Sequence, residues 1–300
     1  MKRIVLFAVV VSGGISTLVS GKPADRPDLQ LSVASIVEKN VEARGGLKAW
    51  HRIKTMAWIG HIDIESTKAP VHDLPFVLKM KRPNKTRFEI AAQHRLSLRL
   101  FDGKQGWKVR PGGQDGMPEL KPYSQDELSF ARDAQGFDGP LIDYRSKGIK
   151  VALEGTDQIE GRQAYRLEVI MPSGNSHHVW IDAASFLDVR YDRKTRNAFG
   201  MTATLSMTYR DYRQVGGLWI PFTIESATGN GGQSYKMVLD KVELNPTLSD
   251  LQFSKPNIPH RRNNRIKVEA LPPHAGWRMR PLAPGSFPSN TATARESGRR

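Results

Sequence analysis

The sequence predicts a mainly β fold with some helix (α+β), built as one long antiparallel sheet with a few helices packed against it. Three observations predict it. From Lys54 onward, apolar residues recur with a period of two. The apolar runs are divided by turn signals such as Asp102-Gly103, Glu160-Gly161 and Gly216-Gly217. No helix of about 10–15 residues follows each strand, which disfavours parallel βαβ units.

Taken in order, Met1-Lys2-Arg3 places positive charge ahead of the apolar stretch Ile4–Val11, and a looser segment runs to Val19-Ser20-Gly21. This is the layout of a secretory signal, with small residues at Val19 and Gly21 to suit cleavage before Lys22. The expectation is export, a signal peptide over residues 1–21, and a soluble mature chain in the periplasm. Cysteine is absent. Disulfides, thiolate metal sites and a lipidated cysteine are therefore excluded, and stability must come from core burial.

Ser32 to Arg44 carries Val33, Ile36, Val37 and Val41 at helical spacing, with Ser32 as cap and Gly45-Gly46 as stop. A short turn over Leu47–Ile53 follows. The first strand puts Met56, Trp58, Gly60, Ile62 and Ile64 on one face, and further strands are expected at Asp73–Lys81, Thr86–Ala92, Arg95–Phe101 and Gln105–Arg110. Ser124–Gln135 reads as a helix, and Gly139–Ser146 as a second. Strands resume at Ile149–Ile159, Gln163–Met171, His177–Asp182, Phe186–Arg193, Met201–Arg213, Leu218–Thr228 and Gln233–Leu244. The clearest alternation sets Met201, Ala203, Leu205, Met207 and Tyr209 against Thr202, Thr204, Ser206, Thr208 and Arg210. The β domain is thus expected over residues 22–258.

Beyond it, residues 259–300 are rich in Pro and carry nine Lys or Arg against two Glu, about half of the formal net charge of +15. This tail is expected to be disordered. Elsewhere the basic residues mix with acidic ones along strands, as on a solvated surface, so a nucleic-acid partner is not expected.

No nucleophile elbow, phosphate loop or H-E-x-x-H helix occurs in the mature sequence, so the expectation is a binding protein and not an enzyme. Neighbouring His177 and His178 should point to opposite sheet faces and cannot share an ion without a bulge. His51, His61, His72 and His94 stand alone. Asp188 and Asp192 share a strand face among Arg190 and Arg193, where surface pairing accounts for them. No metal and no cofactor is expected. What remains is an apolar face rich in Met and aromatic residues: Trp58, Ile62, Phe76, Leu78, Met80, Phe88, Leu98, Leu100, Trp107, Leu167, Met171, Ile181, Leu205, Met207, Phe222, Met237 and Leu239. Met fills irregular gaps and serves adaptable binding surfaces. About a dozen strands offer more area than two or three helices can cover, so a cavity lined by these residues is expected.

Several stretches carry a resemblance to a known family. These are Ile36-Val37-Glu38-Lys39-Asn40-Val41-Glu42-Ala43-Arg44-Gly45-Gly46 followed by Ile53-Lys54 and Gly60, then Phe101-Asp102-Gly103-Lys104-Gln105-Gly106-Trp107, Glu160-Gly161-Arg162-Gln163-Ala164-Tyr165 and Trp180-Ile181-Asp182. Tyr209-Arg210-Asp211-Tyr212, Gly217-Leu218-Trp219-Ile220-Pro221 and Leu251-Gln252-Phe253-Ser254-Lys255-Pro256 complete the set. Over Val33–Pro256 the chain resembles the outer-membrane lipoprotein carriers, the LolA/LolB-like superfamily, and in particular its lipoprotein-sorting group. The resemblance implies an unclosed, strongly curved half-barrel with helices as a lid over a hydrophobic cavity for acyl chains, and no metal or cofactor. In the best-known carriers an Arg latches the lid; no motif here marks its equivalent. The expected function is a monomeric periplasmic carrier or sensor for lipoprotein acyl chains or a lipid, in outer-membrane lipoprotein sorting with an inner- or outer-membrane protein partner. The alternative is a non-enzymatic β scaffold that binds a protein partner in envelope signalling.

Overall fold

The computed structural model describes residues 31–65, 70–92, 95–112, 117–134, 136–196, 202–229 and 234–258. The expected signal peptide, His94, Met201, the Asn230-Gly231-Gly232 turn and the tail from Pro259 lie outside them. The chain divides into Met1–Leu31 and Ser32–Arg300, and the second unit holds the architecture that follows.

Helix α1 (Val33–Ala43) starts where the Ser32 hydroxyl accepts a hydrogen bond from the Ser35 backbone N–H. Glycines 45 and 46, both at positive φ, end it and lead into α2 (Leu47–Arg52). The strands are β1 (Thr55–Glu65), β2 (Val71–Lys81), β3 (Lys85–Ala92), β4 (Arg95–Phe101), β5 (Gly106–Arg110) and β6 (Glu119–Pro122). After helix α3 (Gln125–Asp133) come β7 (Lys150–Ile159), β8 (Arg162–Ile170), β9 (Ser176–Asp182), β10 (Asp188–Arg196), β11 (Thr202–Val215), β12 (Leu218–Thr228) and β13 (Ser234–Leu244). All thirteen form one sheet, in the order β6-β5-β4-β3-β2-β1-β13-β12-β11-β10-β9-β8-β7, antiparallel throughout. The two ends of that order do not pair, so the sheet is not a closed barrel.

Differences from the sequence reading have local causes. Strand β6, only four residues long, escapes the reading because Pro122 and its charged neighbours blunt it as an edge. Phe186, at φ 57°, belongs to the turn before β10 and not to the strand. The segment Gly139–Ser146 is a run of turns, not a helix. At Gly60 the β1–β13 register shifts, and a Cβ there would sit 2.0 Å from the Val238 carbonyl oxygen. Only glycine lets the two strands approach so closely.

The register assigns each side chain to a face. On one face lie Met56, Trp58 and Ile62 of β1, opposite Met80, Leu78 and Leu74 of β2. The same face continues through Phe88 of β3, through Leu239 and Met237 of β13, and through Ile224 of β12 to Tyr209, Met207 and Leu205 of β11. At its centre Met56, Ile62, Phe76, Met80, Ile220, Phe222 and Leu239 pack with Ala49 and Trp50 of α2, with Ile53, and with Phe137 and Ile142 of the turn segment. This is the helix-bearing, inner face.

The contacts of α3 show that the sheet curls around that face. Strand β6 at one edge is joined to β7 at the other by residues 123–149, although a flat sheet would separate them by about 58 Å at ~4.8 Å per strand. Helix α3 spans only about 13 Å, yet its C-terminal turn is held from both sides. Asn84, between β2 and β3, donates to the Ala131 and Arg132 carbonyls at 3.0 and 3.1 Å. Asn175, between β8 and β9, donates to the Asp133 carboxylate at 2.7 Å. The sheet is therefore a trough, and α3 straps it.

The outer face is covered differently. After β13 the chain runs back across it, with Lys81 donating to the Leu248 carbonyl at 2.9 Å and Arg87 to that of Gln252 at 3.0 Å. Ile258 then lies on a cluster of Leu98, Leu100, Trp107, Val109 and Leu120.

Candidate functional site

The strap is built from polar contacts. The Ser124 hydroxyl accepts from the Glu127 backbone N–H, and the Glu127 carboxylate accepts from the Ser124 N–H at 2.9 Å, a capping box that fixes the start of α3. The same carboxylate accepts from Arg99 of β4 at 3.0 Å and from Lys108 of β5 at 2.8 Å. Burial would raise the Glu127 carboxyl, but the bonds from Lys108, the Ser124 backbone and Arg99 outweigh it and hold it at about 2. At the far end Asp133 accepts from Ser173 and Asn175, both at 2.7 Å. Between these anchors Phe130 stays 39% exposed and lies 3.4 Å from the Arg193 guanidinium carbon on β10.

A second set of contacts ties the other helices down. Asp138, with its side chain 2% exposed, takes Arg82 at 2.7 Å and Lys147 at 3.5 Å, while its carbonyl accepts from Arg44 at 3.1 Å. Arg44, which caps the end of α1, and Asn40 within it also reach the Asp188 carboxylate, at 3.5 and 3.2 Å. Burial raises the Asp188 carboxyl against the pull of Arg44. Asp188 is therefore not a surface partner of Arg190. A register shift before Arg190 turns Asp188 inward, and Asp192 alone pairs with Arg190, at 2.7 Å on the outer face.

The residues expected to line a cavity fall into four groups. Ile62, Phe76, Met80, Phe222 and Leu239 are at most 6% exposed and form the central core. Leu167, Ile181 and Met171, at most 2% exposed, are buried toward the other end of the sheet. Trp58, Leu78, Phe88, Leu205, Met207 and Met237 share the inner face and are only half-buried, so they line the trough surface. Phe88 meets Phe76 edge-on at 5.8 Å between centroids, and the Trp58 indole N–H points to the Met56 sulfur at 3.1 Å. Leu98, Leu100 and Trp107 instead lie on the outer face beneath Ile258. There the inner positions of β4 and β5 are Arg99 and Lys108, which bind the strap.

His177 and His178 do point to opposite faces. His177 is buried inside against the Tyr191 hydroxyl, while His178 faces Glu154 at 3.3 Å outside. His51 pairs with Asp143, His61 with Asp240 and His72 with Asp63.

Glu127, Asn84 and Arg193 were not marked by the sequence reading as site residues. The capping pattern Ser124-x-x-Glu127 was the available signal for the first. Arg193 sits on the inner face in register with Leu205 and His177, its Nε fully buried and without a hydrogen-bond partner. Burial lowers its basicity to about 10, so it stays cationic at neutral pH.

Solved structures share this fold. A LolA superfamily protein from Nitrosomonas europaea superimposes with a TM-score of 0.51 at 15% identity, over 75% of this chain and 98% of its own. The fold is LolA-like. A Vibrio parahaemolyticus domain assigned to the outer membrane lipoprotein-sorting proteins shares this LolA-like fold with a TM-score of 0.50 at 13% identity, over 73% of this chain and 94% of its own. A DUF1329 family protein from Desulfovibrio piger gives 0.50 at 13% identity, over 74% and 97% of the two chains. No family model matches the sequence, and no curated protein matches it.

Proposed function

We propose that the protein is an exported, non-enzymatic carrier that holds the acyl chains of a lipoprotein or a lipid in the trough beneath α3, in a periplasmic sorting role. The observation that carries this reading is the row of half-buried Trp58, Leu78, Phe88, Met237, Met207 and Leu205 on the inner face, below a helix held by polar contacts. Such contacts can open and reform without unfolding the sheet. Burying acyl chain is worth ~0.8 kcal/mol per CH₂, so a chain of sixteen carbons gains on the order of 12 kcal/mol from a dry trough. That gain can offset the loosening of the strap.

The test is binding of cis-parinaric acid or its methyl ester to protein stripped of endogenous lipid. Leu78→Glu places a carboxylate among Trp58 and Phe88 and should abolish binding, because an unpaired charge there carries a heavy desolvation cost. Leu205→Glu is the poorer choice, since Arg193 stands beside it. Thr204→Glu, on the outer face, should bind as wild type. Ala203→Trp fills the trough without adding charge and should also block binding, with melting curves recorded for every variant. If stripped wild type shows no saturable binding of either probe and a protein partner co-purifies instead, the scaffold reading replaces the carrier.

A further inference from the structure

On the inner face of β10, Arg193 is a charge that no carboxylate contacts among the described residues. Arg193 lies on the inner face in register with Leu205 of β11 and His177 of β9. Its Nε is fully buried and lacks a hydrogen-bond acceptor. Among the described residues, Arg193 makes no ion pair within 4.0 Å; the Asp133 carboxylate, which accepts from Ser173 and Asn175, acts on it only from farther away. Among the described residues, the direct partner of the guanidinium is the Phe130 ring, its centroid 3.4 Å from the guanidinium carbon, on the strap that would lift for a ligand to enter. The other groups around it are the Tyr191 and Tyr209 phenols, both pushed above their ordinary pKa by burial and hence neutral, and His177, held below its ordinary value chiefly by burial. A largely buried cation whose nearest carboxylate, Asp133, acts on it only from beyond contact distance gains from an anion brought into direct contact.

We infer that Arg193 is the recognition site for an anionic end group on the ligand, so that the preferred cargo is an acyl chain ending in a carboxylate or phosphate, with its tail along Leu205, Met207 and the rest of the trough. This rests on the carrier reading and narrows it, because a lipid with only neutral ester linkages would leave the cation unpaired. The guanidinium presents two parallel N–H donors to such an oxyanion. The Phe130 ring covers the site in the empty state and would close over the bound anion.

The experiment compares cis-parinaric acid with its methyl ester at pH 7.5 on stripped full-length protein, with 1-oleoyl lysophosphatidic acid and monoolein as competing ligands to separate phosphate from neutral headgroup. Wild type should bind the acid about 10- to 100-fold more tightly than the ester. Arg193→Met should erase that preference by weakening the acid alone, while Arg193→Lys keeps part of it. Removing a buried unpaired cation should leave the melting midpoint of R193M unchanged or higher. The larger R193M loss, with the fatty acid or with the lysophosphatidic acid, identifies the headgroup. Equal binding of acid and ester by wild type would overturn the anion site and leave the carrier intact. Equal weakening of both probes in R193M would make Arg193 a packing residue and likewise overturn it. Binding of neither probe by wild type would defeat both readings.

Discussion

Replacing Glu127 with Gln tests whether α3 is a releasable strap or a fixed part of the sheet. Glutamine still suits the capping box but loses the charge that draws Arg99 at 3.0 Å and Lys108 at 2.8 Å. Hydrogen bonds to charged groups contribute about 1.5–3 kcal/mol when well shielded. Here the Arg99 side chain is 42% exposed and that of Glu127 22%, so solvent screening reduces the pair of contacts to about 2 kcal/mol together. At 1.4 kcal/mol per tenfold, opening of α3 becomes about 30-fold more frequent. Hydrogen exchange by mass spectrometry, on a peptide spanning residues 124–134, should show that acceleration, with the β1 and β13 amides unchanged. Glu127→Ala, which also loses the cap, should add about 1 kcal/mol more. Unchanged exchange in α3, or equal acceleration across the sheet, would refute the idea of a locally opening strap.

Acid should release the same helix. The Glu127 carboxyl is depressed from 4.5 to about 2, so its contribution is complete above pH 4.5 and disappears as pH falls toward 2. Opening of α3, read as exchange corrected for the intrinsic pH dependence of amide exchange, should rise across that window in wild type and stay flat in E127Q. Asp138→Asn removes the anion shared by Arg82 and Lys147 and leaves both cations facing a neutral group. Breaking a buried pair costs about 3–5 kcal/mol, so the melting midpoint should fall by roughly 10 °C, and a fall under about 2 °C would count against the buried network. Gly60→Ala drives a methyl into the Val238 carbonyl and should lower chemical-denaturation stability on the order of 2 kcal/mol. An unchanged midpoint would mean the bulge at Gly60 can relax.

Most of the sheet was legible because its strands obey a period of two and its turns use residues that tolerate positive φ. The ends of α1 were equally plain: Ser32 at one end and Gly45-Gly46 at the other act through local backbone chemistry alone. Strand β6 was not legible, since four residues of Glu-Leu-Lys-Pro contain too little alternation to register. The strap's role also could not be read. Ser124-x-x-Glu127 announces a helix start, but nothing in sequence tells that Arg99 and Lys108 meet the same carboxylate across a curled sheet.

The site residues show why alternation alone cannot assign a face. On β4, Leu98 and Leu100 alternate with Ser97 and Arg99, and the dry side was taken to face inward. Alternation distinguishes two faces without saying which one a cavity occupies. Here both faces are covered: the outer one by the returning C-terminal segment with Ile258, the inner one by α3. The dry side of β4 therefore belongs to the outer cover, and its charged side faces the trough because Glu127 is there to receive it. Arg193 was obscured by the reverse problem. Counting by two from Val189, which packs outside with Ala164 and Trp180, puts Tyr191 and Arg193 outside as well. The register shift between Asp188 and Arg190 breaks that count, so Val189 and Arg193 lie on opposite faces. A bulge that hides a residue from pattern reading is thus what turns Arg193 to the inner face, between Leu205 and His177, where counting by two would have put it outside.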